Sequence, residues 1–457
     1  MASLSSISVT LFIFFLFISL SHSDSDSLLQ DPQLSSLEQE SVYRVLESIN
    51  STINWRFRFP DDICYSSPHG INCEYFTDEN GNTSSVHITE LNIGYVSESS
   101  PNPTCSSTAT LSPSLTSLPY LRKLFFYKCF TQTKVFLPEF FSNLSSTLEQ
   151  LVFIENPSLF GNLNGKIDNM KNLKKLVLSG TNVSGEIPDG VGELGEIEQI
   201  TLTRNGFSGE IPVSLGKLKK LKVLDLSFNG FEGNVPDSIG DISELFQLDL
   251  SSNHFNGRIP ESLEKLQRLV FLDLSCNRFA NYGIPLFLGE MQGLKEVYLS
   301  GNSLGGPIPE IWEKLGGILG IGLSGLGLVG KIPSSMGVFL KNVNYISLAN
   351  NKLEGNVPEE FGVLESVLNE LNLENNMLSG RLPFSANFST KIGRKLKLAG
   401  NSKLCVDEGL SSAKGYLKVC NKPANPNPVL FSGCSSSVSQ YSSLFVILLG
   451  AFYLFEF

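Results

Sequence analysis

The stretch 221–236 reads LKVLDLSFNGFEGNVP. The chain then writes almost the same sentence as LFQLDLSSNHFNGRIP (245–260) and LVFLDLSCNRFANYGIP (269–285). Marking the position after LxLxx along the whole chain gives Cys129, Asn156, Thr181, Asn205, Asn229, Asn253, Asn277, Asn302, Leu326, Asn351, Asn376 and Asn401. From Thr181 onward the spacing is 24 or 25 residues every time, and ITELNIGYV (88–96) adds a starting half-unit. That makes about thirteen turns. A fixed period of this length means stacked units, none of which buries its apolar face alone, so the expected architecture is a solenoid.

Within a turn, LxL alternates two inward leucines with an outward residue, the period of a strand. Stacking sets these strands side by side as a parallel sheet on one face. The asparagine turns the chain out of the strand, and its amide can bond backbone groups that would otherwise be buried unpaired. Nine of the twelve marked positions carry asparagine. Leu326 cannot bond backbone, so its turn, LGIGLSGLGLVGKIP, relies on glycines and neighbours. Thr181 can substitute in part through its hydroxyl, and Cys129 fits a disulfide better than the ladder. After the asparagine comes a G-x-I/V/L-P stretch, as in GEIP (185–188), GNVP (233–236) and GRIP (257–260). Proline's fixed φ and missing N–H end the extended piece there.

This LxGxIP ending resembles the plant-type leucine-rich repeat across residues 86–404. The resemblance implies an α/β repeat solenoid: a right-handed superhelix with a concave parallel β-sheet, a second short sheet made by the GxIP pieces, and disulfide-bearing caps. Residues 24–85 read as the N-terminal cap. There Leu34, Leu37, Val42, Val45, Leu46, Ile49 and Ile53 recur at helical steps, followed by Trp55 and CYSSPHGINC with Cys64 and Cys73. Residues 405–420, bracketed by Cys405 and Cys420, resemble the family's C-terminal cap. Sequence alone does not fix connectivity. Proximity favours Cys64 with Cys73, Cys105 with Cys129, and Cys405 with Cys420; of the two others, Cys434 would be lost with the C-terminal signal described below, which leaves Cys276 as a thiol, buried, half-buried or linked to another chain.

The two ends carry their own signals. Residues 1–23 read as a secretory signal peptide, with an apolar run over 11–20 and small residues before Asp24. Residues 421–432 form a proline-rich stalk, and 433–457 combine a polar spacer with the apolar run LFVILLGAFYLFEF (444–457). Small residues, spacer and apolar terminus are the signal for a glycosylphosphatidylinositol (GPI) anchor, with Ser432, or Gly433, as the attachment residue. The alternative is a short tail-anchor helix. Five N-x-S/T sequons, at Asn50, Asn82, Asn143, Asn182 and Asn387, are candidate glycosylation sites.

A formal charge of −11 argues against nucleic-acid binding. No histidine pair has metal-ligand spacing, and no G-x-S-x-G or phosphate-binding glycine loop occurs, so no catalytic residue and no cofactor is expected. One outward column stands out: Asp225, Asp249 and Asp273 fall on successive strands about 5 Å apart. Solvated, each neighbouring pair costs about 0.8 kcal/mol. The column is either filler or an acidic stripe, flanked by Phe228 and Tyr298, that receives a basic group of a ligand. Thirteen strands at about 4.8 Å make an arc of roughly 60 Å, suited to proteins or extended peptides. The pattern resembles plant receptor-like proteins without a kinase. That resemblance implies a cell-surface role in responses to microbes or in growth, with signalling through a partner receptor kinase. A secreted inhibitor resembling the polygalacturonase-inhibiting proteins is the alternative.

Overall fold

A computed structural model describes residues 32–66, 68–77, 83–95, 102–144, 146–406 and 417–420. The LxL segments become short strands, such as Val223–Asp225, Gln247–Asp249 and Phe271–Asp273, paired in parallel and in register. They belong to one sheet of fourteen strands. From Thr83–Ile93 to Leu396–Lys397 the strands run parallel, while Ile71–Thr77 pairs antiparallel with Thr83–Ile93 at the N-terminal edge. That edge hairpin was not expected from the periodicity. Its burial does not alternate, and it shields the sheet edge from further pairing.

The inward leucines form one unbroken core. Leu224, Leu226, Leu248, Leu250, Leu272 and Leu274 are all fully buried, and each such side chain is worth about 2 kcal/mol against exposure. The asparagines hold adjacent turns together. Asn253 donates through Nδ2 to Leu226 O (2.9 Å), Leu250 O (3.2 Å) and Ser251 O (3.1 Å), and its Oδ1 accepts from Phe231 N (3.1 Å). Where the ladder residue is missing, the next turn compensates. Asn156 Oδ1 accepts from both Cys129 N and Phe130 N, and Asn351 Oδ1 accepts from Leu326 N and Leu328 N, each at 3.0 Å.

Two residues beyond the ladder asparagine, Phe207, Phe231, Phe255 and Phe279 are fully buried. The first three stack face to face, with centroids 6.1 Å apart and rings within 6° of parallel. A second set of strands follows the asparagine, as in Gly206–Gly209 and Gly230–Gly233. These strands end at the first glycine of GxIP instead of being built from the GxIP residues. The reason is local: Gly209, Gly233 and Gly257 have φ of +77°, +76° and +71°, which turns the chain out of the strand at no Cβ cost. The prolines then precede 3-10 turns such as Val213–Lys217 and Asp237–Asp241. This second layer is two sheets, of seven and five strands, not one. They stop at Arg278–Phe279 and restart at Val329–Gly330, with an isolated bridge from Ala280 to Ser303 between them.

The N-terminal cap contains the helix Ser36–Ile49, started by Ser35 Oγ accepting from Glu38 N. Val42, Val45, Leu46 and Ile49 are buried, but Leu37 is 69% exposed and lies off the apolar face. Trp55 is buried, its Nε1 donating to Asn50 O at 2.9 Å. The disulfides are Cys64–Cys73, Cys105–Cys129 and Cys405–Cys420. Cys276 belongs to none of them and is half-buried at φ +51°. Among the described residues no helix is long and apolar enough to cross a membrane. The signal peptide, the stalk, Ser432, Gly433 and the apolar tail lie outside the described residues.

Candidate ligand-binding face

The concave sheet presents its side chains in rows, one per strand position. Asp225, Asp249 and Asp273 are direct register partners, and Tyr298 continues their row. They are not a solvated stripe. Their exposures are 2%, 6% and 3%, and Gln247 and Phe271, one step upstream on the same face, are buried as well. Alternation aims the carboxylates outward, yet the row they form is covered. Each carboxylate is tied to its own strand. Ser227 donates to Asp225 Oδ1 through N (3.0 Å) and Oγ (2.6 Å), and Ser251 does the same to Asp249. Ser275 holds Asp273 at 2.8 Å and 2.5 Å.

Burial is the largest influence on their acidity and raises all three above the ordinary carboxylate range, against the lowering effect of the serine bonds. The Asp249 carboxyl is raised furthest in kind, because Asp225 and Asp273 flank it. Asp273 is raised to about 6.

Tyr298 is buried, and its hydroxyl donates to Glu296 Oε2 at 2.8 Å. Burial first, then the Glu296 charge, keep this phenol protonated far above its usual range. The ring lies across the next strand, Gly320–Gly322. A Cβ on Gly320 would come within 2.6 Å of Tyr298 Oη, and one on Gly322 within 2.7 Å of Cδ1. Those two glycines let Tyr298 approach Tyr345, two strands away, with centroids 6.1 Å apart. Phe271 is 5.8 Å away on the other side.

The side chains open to a partner lie elsewhere on the face. Phe228 is 38% exposed, at φ +53°, with the Arg204 guanidinium 5.8 Å over its ring; Phe246 is 39% exposed. Arg204 and Phe246 were missed in the sequence. Their signal was the column before the ladder asparagine and the column three residues before the aspartates, beside the one column that was read. Along the upstream rim, charges are matched between turns: Lys174 with Glu149 at 2.8 Å and Lys222 with Glu198 at 2.7 Å.

Asn50 is a poor glycan acceptor in this fold. It is 6% exposed, and its Nδ2, the atom a glycan would need, donates to Thr104 O at 3.0 Å. Asn143, Asn182 and Asn387 are exposed. Asn82 lies outside the described residues. His87 Nδ1 is 2.6 Å from Glu38 Oε1 within the N-terminal cap, and no group of three metal-binding side chains occurs among the described residues.

The Leucine Rich Repeat family profile matches residues 172–194, 220–242, 244–266, 293–315 and 342–364. Receptor like protein 29 of Arabidopsis thaliana is 35% identical over 146 residues, covering 31% of this chain and 29% of the relative. Piriformospora indica-insensitive protein 2 of the same plant is 34% identical over 151 residues, covering 33% and 34%. The matched region thus spans about a third of the length of these relatives. Among solved structures, the Arabidopsis receptor kinase HAESA, in complex with the peptide hormone IDA and the co-receptor SERK1, superposes with a TM-score of 0.53 at 29% identity. That match covers 65% of this chain and 56% of the other.

Proposed function

We propose that this leucine-rich-repeat solenoid with disulfide-bearing caps, similar to plant extracellular receptor-like proteins, is a cell-surface binding protein and not an enzyme. Its concave face receives an extended peptide or protein segment, and its output runs through a partner receptor kinase in responses to microbes or in growth. The observation that carries the reading is the long parallel sheet, which offers Phe228, Phe246 and Arg204 as exposed aromatic and cationic anchors on the two sides of a buried polar row. Aromatic and arginine side chains of this kind dominate binding energy at interfaces. The likeness to a peptide- and co-receptor-bound ectodomain supports the same use of the face.

In this reading the buried acidic row lies between the anchors and does not itself meet the ligand. The apolar tail and the small residues at Ser432 and Gly433 support attachment by a lipid anchor to the outer face of the plasma membrane.

Affinity capture of receptor-kinase ectodomains and secreted peptides from plant tissue tests the binding reading. Phe228→Ala with Phe246→Ala is expected to weaken capture at least tenfold, since interface anchors are worth about 2 kcal/mol each. Unchanged capture would remove the concave face as the site. Release of the protein from membranes by phosphatidylinositol-specific phospholipase tests the anchor separately. A protein found only in the medium, without lipid, would return the secreted-inhibitor reading.

A further inference from the structure

Outside the concave sheet, one column of the second layer changes character along the solenoid. Each strand there has a buried residue followed by an outward one. In four successive turns the outward residue is polar and exposed: Ser184, Ser208, Glu232 and Asn256. In the two turns before them it is phenylalanine. Phe136 follows buried Val135, and Phe160 follows buried Leu159. The two phenylalanines are register partners with ring centroids 5.9 Å apart. Phe136 is 64% exposed and Phe160 is partly so. Two touching rings left to water, in a column that turns polar downstream, call for a cover.

The next residue in their row is Asn182, the register partner of Phe160 on the adjoining strand Asn182–Gly185. It opens the sequon N-V-S, whose serine is Ser184, the first polar residue of the column. Unlike Asn50, Asn182 is exposed. Its Nδ2 donates to Pro157 O, one turn back, so the amide leans toward the turn that carries Phe160. Glycosylation forms a bond from Nδ2 to the anomeric carbon of an N-acetylglucosamine; one amide proton is lost and the lipid diphosphate of the oligosaccharide donor leaves. The second amide proton remains and can hold Pro157 O, so the modification is compatible with the lean.

We infer that the first sugars of a glycan on Asn182 lie with their apolar face over Phe160 and Phe136, so that the glycan is held down along this flank instead of standing free in solvent. One strand spacing, about 4.8 Å, separates Asn182 from Phe160, and a second separates Phe160 from Phe136. These steps are about the size of a sugar ring. The C–H groups on one face of N-acetylglucosamine carry slight positive charge and meet the negative π face of a phenyl ring, and the contact takes apolar area out of water. Lys134 Nζ, 5.1 Å from the Phe160 centroid, can donate to a sugar hydroxyl at the border of this bed. The inference goes beyond the concave face and needs only passage through the secretory pathway. Its consequence is that a partner approaching the flank of these early turns meets carbohydrate before protein.

The test uses the full mature protein isolated from plant cells, with glycopeptide mass spectrometry for occupancy and hydroxyl-radical footprinting for ring exposure. Asn182 is expected to carry glycan. Asn182→Gln and Ser184→Ala remove the sequon in two different ways. Both are expected to raise oxidation of Phe136 and Phe160 several-fold while leaving Phe228, on the concave face, unchanged. Phe136→Ser with Phe160→Ser is expected to keep the glycan but to speed its enzymatic release from the native protein several-fold. A bare Asn182 beside occupied Asn143 and Asn387 would overturn the inference alone; bare asparagines at all three would also remove the secretory premise. Equal oxidation of both rings with and without the sequon, or release untouched by the double phenylalanine change, would mean a glycan that stands free, and would overturn it as well.

Discussion

Asp249 lies between two like charges on neighbouring strands and is itself nearly covered, yet it has only its own Ser251 for support. A carboxyl raised in the folded state binds its proton more tightly there than in the unfolded chain. Between the ordinary carboxylate value and about 6, where Asp273 titrates, the folded protein holds more protons, so stability falls as pH rises through that window. For Asp273 alone the change is about 3 kcal/mol. Thermal denaturation is expected to give a higher midpoint at pH 4.5–5 than at about pH 7.5. Asp249→Asn is expected to raise the neutral midpoint and flatten the pH dependence. Asparagine can hold the same turn: Asn372, in this row, accepts from Glu374 N at 3.1 Å. A midpoint that rises steadily from pH 5 to 8 would contradict this. At Asn253 the expectation is opposite in sign. Asn253→Ala strands a buried amide and several carbonyls, and should lower stability by about 3 kcal/mol in urea titration. The asparagine ladder was plain in the sequence because each rung is written at a fixed interval. The burial of the aspartates was not, because it depends on the sizes of the side chains around them in the same face, Gln247, Phe271 and Tyr298 among them, which no period encodes.

At the scale of the strand, Gly320–Gly322 shows how an absent side chain shapes a neighbour. Its two glycines make a bed for Tyr298, so Gly322→Ala should lift the ring without straining the backbone. The expected result is faster nitration of Tyr298, followed by mass spectrometry, with the fold intact by circular dichroism; unchanged reactivity would show that the ring is held from elsewhere. The phenylalanine stack is a second inter-turn tie. Phe231→Ala opens a cavity between two parallel rings and should cost about 3–5 kcal/mol. The inward LxL residues and the helix of the N-terminal cap were legible from their periods. The Ile71–Thr77 edge strand was not, because its residues lack alternation and its partner runs the opposite way. The stack could have been found from phenylalanine recurring two places after the asparagine, a column the leucine pattern overshadowed.

Across the whole molecule, the concave sheet runs without interruption while the second layer breaks between Arg278–Phe279 and Val329–Gly330. Stability in stacked repeats is a sum of nearest-neighbour terms, so that seam should open before its flanks. Hydrogen exchange followed by mass spectrometry is expected to show faster exchange in 281–306 than in 230–257; uniform protection would count against a weak seam. The asparagine rungs have a further effect on what the lineage of such a chain can do. Asn253 reaches back to Leu226 and Phe231 and no farther, so each rung ties a turn to its neighbour alone. Excising 230–253 from the gene would join Asn229 to His254 and leave an equivalent rung at the junction, and a tandem copy would do the same in reverse. Reach is thus a trait that can be inherited in whole turns, shortened or extended by slips in copying without the fold being reinvented.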